Sequence, residues 1–468
     1  MRIHISGVCG TATASLAGLL KARGHDVTGS DQDVYPPMSD ELARMGVTVS
    51  SPYAEANLPK DADLIVIGNA LSRGNPEVEA VLDGKRRYTS QAALLADEFL
   101  RDRVSIVVAG THGKTTTTAM LTHILRHAGF DPSFLIGGVS LDLGGSYGLG
   151  SGPHFVVEGD EYDTAFFDKR PKFVHYLPDI AIIGNVEFDH ADIYPDLAAV
   201  QLAFTRLLSV VPRRGLLIAG IESPALVGIL DRAKSRVATF AIGQDTHASW
   251  QAHEISLSAE GAAFDVVAEG RRRGRVRMPA SGQHNVRNAL AATAAATEAG
   301  VPFEKIVDAL AGFQGVKRRL ELRGRVGGIS VYDDFAHHPT AVRETIAALK
   351  SRLALGERVV VVFEPRSYTS RTRFFENDFA RAFATADEVV ISAAHLPGKV
   401  PESERISEFS LVASINAAGG RARLVPTVDG IVSELSAALR FGDHVLVLSN
   451  GAFGAIHEKL LSALAFVV

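Results

Sequence analysis

The chain opens on a short apolar run, Ile3 to Ser6. From Thr13 to Arg23 apolar positions then recur at helical spacing, and Gly24 stops them. Strand patterns follow at Val27 to Asp31 and Leu64 to Ile67. Asn75-Pro76 offers a capping side chain and a proline for the first helical position, which predicts a helix start. This alternation implies a parallel sheet flanked by helices. A polar stretch, Asp97 to Arg103, ends the first block. Beyond it, Val104 to Ala109 reads as a buried strand running into a helix from Thr115, and Phe155 to Val157 and Ile180 to Ile183 as further central strands. From Arg236 to Pro279 short alternating segments predict a small antiparallel layer, and an alanine-rich helix runs from Asn285 to Gly300. A third block starts near Leu320, with strands Arg358 to Phe363, Glu388 to Ser392 and His444 to Leu448. The expected organisation is three α/β domains, residues 1–102, 103–318 and 319–468.

A length of 468 residues suits three domains. Net charge is −5 with both signs interspersed, so no nucleic-acid or anionic-membrane partner is expected. The start lacks the features of a signal peptide, and no apolar run is long enough for a membrane helix. The single cysteine, Cys9, cannot form an internal disulfide and fits a reducing cytoplasm; it reads as a small turn residue. Nothing in this pattern fixes an oligomeric state.

Chemistry enters at Gly110-Thr111-His112-Gly113-Lys114-Thr115-Thr116, between a predicted strand and a predicted helix. Backbone N–H groups near glycine and a helix N-terminus favour phosphate oxygens. Lys114 would reach the β and γ phosphates and the Thr115 hydroxyl a magnesium ion. Val108 stands where the standard motif has its first glycine, so the loop is a shortened one. The next strand ends at Glu158, followed by Gly159-Asp160-Glu161-Tyr162-Asp163, oxygen donors suited to magnesium. Switch elements of a GTPase or transport ATPase are missing, and so is the G-x-G-x-x-G fingerprint of a dinucleotide enzyme.

Six segments fall in one order: GTHGKTTT (110–117), EGDEYD (158–163), NVEFDHADIY (185–194), SGQHNVRNALAA (281–292), GVKRRLE (315–321) and DDFAHHPTA (333–341). In these the chain resembles the Mur ligases, which join amino acids or peptides to UDP-N-acetylmuramic acid. The resemblance implies a Rossmann-like N-terminal domain for the UDP-sugar, a central P-loop ATPase domain and a Rossmann-like C-terminal domain for the amino substrate. It also implies ATP and Mg2+. Two branches act on UDP-N-acetylmuramate itself, one adding L-alanine and one a recycled tripeptide, L-Ala-γ-D-Glu-meso-diaminopimelate. The runs from Glu158 to Arg170, Glu187 to Asp192, Phe363 to Ser367 and Ser449 to His457 are similar to the tripeptide branch. Tyr368-Thr369 with Arg371-Thr372 is similar to the alanine branch.

The resemblance carries roles residue by residue. It assigns Lys114, Glu158 and His190 to catalysis, and Thr115, Glu158 and His190 to metal, with Glu187 and Asp189 beside them. Gly110 to Thr116, His284, Asn285, Asn288, Arg319, Asp334 and His337 would meet ATP. Asn288 would read adenine and Arg319 would reach phosphate on domain closure. Asn285 also suits helix capping, Asn185 a strand end, and His338 a structural role. Ser6, Gly7, Gly10 and Thr11 join strand to helix, a natural seat for the UDP pyrophosphate. Ser30, Asp31 and Asn69 end neighbouring strands and would touch the same ligand. Arg366 is the candidate for a peptide carboxylate, which guanidinium binds bidentately.

Overall fold

The computed structural model describes residues 1–34, 38–243, 247–395 and 400–465. Residues 2–90 form a five-stranded parallel sheet in the order Thr48–Ser50, Asp26–Ser30, Arg2–Ser6, Leu64–Ile67, Tyr88–Ser90. The first strand lies at the centre and the chain winds outward on either side, the arrangement of half a Rossmann fold. Asn75 caps the helix Pro76–Asp83, its side chain accepting from the N–H groups of Glu77 and Val78. One glycine-terminated turn, Gly7 at φ +85°, lets the first strand's end double back so that its N–H reaches Ser30 O.

The second sheet has ten strands. Its order is Arg271–Met278, Gly261–Ala268, Trp250–Ser258, Arg236–Ile242, Leu216–Gly220, Ile180–Ile183, Val104–Ala109, His154–Glu158, Ser133–Ser140, Gly145–Gly148. Val104–Ala109 is apolar but for Ser105, whose hydroxyl donates to Tyr176 O at 2.7 Å, because both of its faces are covered. Ile106 and Val108 face the helices Lys114–His127 and Gln283–Glu298, while Val107 and Ala109 join a core continuous with the N-terminal domain. The expected small antiparallel layer is present over Trp250–Met278, but it starts later than Arg236: Arg236–Ile242 pairs in parallel with Leu216–Gly220 and with Trp250–Ser258, and antiparallel pairing begins between Trp250–Ser258 and Gly261–Ala268. These strands extend the central sheet, because their alternating apolar face shares the core under the alanine-rich helix.

The third sheet runs Glu321–Val326, Ile329–Asp334, Asp443–Leu448, Arg358–Phe363, Glu388–Ile391, Ala422–Leu424. All its pairings are parallel except the first. No helix among the described residues is long and apolar enough to cross a membrane. Glu158, Asn185 and Asp334 all sit at or just beyond the C-terminal ends of parallel strands, where α/β folds open their crevices.

Candidate active site

Gly110 adopts φ +130°, and a side chain there would press on the backbone of Gly184 and Asn185. Gly113 adopts φ +81° and lies against Asn288, so a methyl group would collide with that amide. The loop is therefore tight enough to need both glycines. Asn185 clamps it from below: its Oδ1 accepts the His112 N–H at 2.8 Å and its Nδ2 donates to the His112 carbonyl at 3.3 Å. The Thr111 hydroxyl accepts the Glu187 N–H at 2.9 Å.

Lys114 starts the helix and folds back over the loop. Its Nζ donates to Gly110 O at 2.7 Å and to both oxygens of Glu161 at 2.9 and 2.8 Å. Burial opposes charge on both partners, yet their mutual attraction wins: Lys114 is held above its ordinary value and Glu161 below. Glu161 also accepts from His190 Nε2 at 3.0 Å. Burial alone would lower the His190 pKa, but Glu161 and Asp189 raise it above the ordinary imidazole value. His190 sits at φ +56°, a costly conformation for a non-glycine residue, held by its own N–H on Asp189 at 2.7 Å.

Thr115 Oγ1 donates to Glu158 Oε1 at 3.0 Å, and Gly137 N–H donates to Glu158 Oε2 at 2.7 Å. Burial pushes the Glu158 carboxyl up, against Lys114 and these donors. A hard cation here would meet two oxygen donors and supply the counter-charge that Glu158 lacks, so this pair fits magnesium. At the neighbouring position His190 Nε2 and Glu161 Oε1 lie 3.0 Å apart, so imidazole and carboxylate share one corner of the site.

A cavity of about 960 Å³ collects these groups. Of the residues expected at ATP and metal, Thr111 to Thr116, Glu158, His190, His284, Asn285, Asn288, Arg319, Asp334 and His337 all line it; Gly110 reaches it through Lys114. Asn285 is no cap: Gly282 precedes the helix, and Asn285 Nδ2 donates to Ser281 O at 2.8 Å. Asn288 Nδ2 donates to Asn285 Oδ1 at 3.2 Å. His284 Nδ1 is buried without a hydrogen-bond partner, a polar atom suited to a ligand. The linker is shaped by Arg318 and Leu320, at φ +60° and +49°, which turn Arg319 toward Thr115 Oγ1, 3.3 Å away. Asp334 accepts from Leu320 and Ala336 N–H groups at 2.6 and 2.8 Å. The third domain docks through Thr369, which donates to Asp189 at 2.6 Å, and through Thr340, which donates to Glu187 at 2.7 Å. His338 Nε2 lies 3.1 Å from Phe188 O, a further link between the two domains.

Of the residues expected at the UDP-sugar, Thr11 lines the cavity and Ser6, Gly7, Gly10, Ser30, Asp31 and Asn69 do not. The hydroxyls of Ser6 and Ser30 are buried and donate to Glu77 at 2.6 and 2.5 Å, which corrects the expectation that they face a ligand. Asp31 accepts from Cys9 N–H and Tyr53 OH, while Asn69 is exposed. Burial and Asp31 push the Cys9 thiol up to about 11, as an inert turn residue would be. Arg366 lies outside the cavity, 3.6 Å from Glu364 and against Gly451. Sequence reasoning offered Asp160 and Glu161 only as oxygen donors for magnesium and gave Lys172 and Glu77 no role. Glu161 stood in a recognised acidic run, whereas nothing in the sequence pointed to Lys172 or Glu77.

Comparison with known proteins finds three family domains in succession along the chain. Residues 2–102 match the Mur ligase family catalytic domain, 108–296 the Mur ligase middle domain and 318–451 the Mur ligase glutamate ligase domain. The UDP-N-acetylmuramate–L-alanyl-γ-D-glutamyl-meso-2,6-diaminoheptandioate ligase of Escherichia coli is 43% identical, over 99% of this chain and 98% of its own. The UDP-N-acetylmuramate–L-alanine ligase of Salinibacter ruber is 35% identical, over 99% and 95%. The crystal structure of a murein peptide ligase from Psychrobacter arcticus superposes with a TM-score of 0.75 at 39% identity, covering 100% of this chain and 99% of that one. With three consecutive domain models and full-length relatives at this identity, the chain belongs to the Mur ligase family.

Proposed function

We propose that this protein joins the tripeptide L-Ala-γ-D-Glu-meso-diaminopimelate to UDP-N-acetylmuramate, at the expense of ATP, through an acyl phosphate. The observation that carries the reading is the convergence on one cavity of Lys114, Thr115, Glu158 and Arg319 with residues of the third domain. Full-length identity to the Escherichia coli ligase supports the choice of tripeptide over L-alanine. In this reading residues 1–102 bind UDP-muramate, 103–318 ATP and 319–468 the peptide, in the cytoplasm.

The muramoyl carboxylate is already ionised at neutral pH, so its attack on the γ-phosphorus needs positioning and charge neutralisation more than a base. Lys114, the loop amides and Arg319 supply positive charge on one side of the phosphates. Thr115 and Glu158 would hold magnesium, which when bound neutralises phosphate oxygens. The acyl phosphate and ADP form as the bond to the bridging oxygen breaks. The peptide's neutral α-amine then attacks the acyl carbon, phosphate leaves, and the amine gives up a proton. Asn185 keeps the loop in place throughout by holding the backbone of His112. Docking of Thr369 on Asp189 and Thr340 on Glu187 closes the third domain over the nucleotide and keeps water from the acyl phosphate.

The test is phosphate release from ATP with UDP-N-acetylmuramate plus either the tripeptide or L-alanine, with the product weighed by mass spectrometry. Release with the tripeptide and a product heavier by the tripeptide residue is expected. Release with alanine alone would move the protein to the alanine-adding branch, and release with neither amine would end the ligase reading.

A further inference from the structure

Lys172 opens the short turn Lys172–His175, directly after a two-stranded hairpin formed by Asp163–Ala165 and Asp168–Pro171. Its backbone N–H donates to Tyr162 O at 3.1 Å, which folds the hairpin's base onto the acidic run that starts at Glu158. The residue is 7% exposed, yet it lines the cavity that holds the phosphate loop. An ammonium group carries three donors. One is spent on Asp160 Oδ2 at 2.6 Å, and the described residues provide no second acceptor.

As a purely structural device this pair is an expensive choice. Desolvation of a buried ion pair commonly exceeds its attraction, and apolar side chains would fill the same space at lower cost. Asp160 is itself fixed, its Oδ1 accepting the Tyr162 N–H at 3.1 Å. The ammonium is thus held on a fixed carboxylate with two donors left at a ligand cavity.

The surroundings say which ligand. The same cavity is walled by Thr11 and Ala12, at the start of the N-terminal domain's first helix, and by Lys114 and Thr116 of the phosphate loop. A UDP-sugar seated at that helix start and ATP seated on the loop have to meet between them. The hairpin is also fastened to the N-terminal domain at its tip. Phe167 meets the Tyr88 ring edge-on at 5.0 Å, and Phe166 packs against the N-terminal domain's core. The element that presents Lys172 is therefore anchored on the domain that would hold the sugar. The step itself brings a carboxylate up to a polyanionic phosphate, an approach of like charges that a cation beside the carboxylate offsets.

We propose that Lys172 binds the lactyl carboxylate of UDP-N-acetylmuramate and aims it at the γ-phosphate, with Asp160 as the positioning residue that holds the ammonium. This rests on the substrate reading given above. It is tested by measuring Kd by calorimetry, with a non-hydrolysable ATP analogue and magnesium present, for two ligands. UDP-N-acetylmuramate carries the lactyl carboxylate and UDP-N-acetylglucosamine lacks it. Lys172→Met is expected to weaken UDP-N-acetylmuramate at least about tenfold, the worth of one hydrogen bond to a charged group, and to leave UDP-N-acetylglucosamine within about twofold. Lys172→Arg should recover most of the loss, and Asp160→Asn should fall between. Damage to the fold would weaken both ligands together, so equal weakening of both, or of neither, overturns the role of Lys172. If the wild-type protein binds neither ligand, the UDP-muramate reading itself fails.

Discussion

Lys114 Nζ stands 2.9 and 2.8 Å from the two carboxylate oxygens of Glu161, so the cation that would meet the γ-phosphate already has an anion on it. A phosphate arriving at the loop has to compete with that carboxylate. Glu161→Gln should therefore do two opposite things. Without nucleotide the buried ammonium loses its counter-charge, and stability should fall by about 3–5 kcal/mol, read from denaturant unfolding. In EDTA, with no divalent ion to complicate the comparison, the affinity for ATP should rise. Unchanged or weaker ATP binding in EDTA would sink the competition between Glu161 and phosphate.

His338 gives the pH dependence. Burial and the nearby His112 lower its pKa from 6.5 to about 4, against Asp189 and Glu187. The folded state therefore favours the neutral ring, while the unfolded chain takes up a proton below about pH 6.5. Stability from this group is fully present above pH 6.5 and drains away as pH falls toward 4, by roughly 3 kcal/mol in total. His338→Gln has no such titration. The stability gap between wild type and variant should be widest at neutral pH and narrow as pH drops from 6.5 to 4, in urea unfolding series. A gap that does not change with pH would refute the assignment.

Three largely apolar strands had limits readable to the residue: Leu64–Ile67, Val104–Ala109 and Ile180–Ile183 are observed as expected, while Phe155 to Val157 gains one residue at each end. Such runs are buried on both faces, so their burial requirement is written in their own side chains. The hairpin that presents Lys172 was missed because Asp168–Pro171 is charged and half exposed, and its pairing depends on Phe166 and Phe167 docking on another domain. The site divides in the same way. Gly110, Gly113, Lys114 and Thr115 carry their chemistry in local spacing, whereas the choice among Glu158, Asp160 and Glu161 depends on the turn after the strand. Ser6 and Ser30 looked free at strand ends. Their hydroxyls are occupied by Glu77, 71 and 47 residues away, which no local pattern announces.

That occupation is itself testable. Glu77 is fully buried and accepts from Ser6, Ser30 and Asn57 Nδ2 at 2.6, 2.5 and 2.9 Å. It ties the ends of two strands and the segment after Pro52 to the start of one helix, directly behind the turn at Gly7. Glu77→Ala leaves these three donors and the Ala54 N–H, 3.3 Å from Oε1, without that acceptor and should cost about 3 kcal/mol or more, with Glu77→Gln milder because one acceptor survives. Kinetically, the KM for UDP-N-acetylmuramate should rise while that for ATP stays put, since no ATP-facing group touches the network. An equal rise in both would mean that the damage spreads beyond the N-terminal domain.

Gly451 offers a way to move Arg366 without removing it. A methyl group at Gly451 would overlap Nε, Cζ and Cδ of that side chain, and the glycine is not in the left-handed region, so alanine fits the backbone. Only the far end of a flexible, partly exposed side chain has to shift, and its ion-pair partner, Glu364 at 3.6 Å, is a loose tether. The stability cost of Gly451→Ala should therefore stay below about 1 kcal/mol. If Arg366 receives a peptide carboxylate, its displacement should raise the KM for the tripeptide about tenfold, the value of a misaligned charge-assisted bond. The KM for ATP and UDP-N-acetylmuramate should not move, because neither meets this corner of the third domain. Arg366→Lys should resemble Gly451→Ala more than wild type, since a point charge cannot replace a bidentate fork. If both variants keep the wild-type KM for the tripeptide, Arg366 is a surface cation and the peptide carboxylate is bound elsewhere in the third domain.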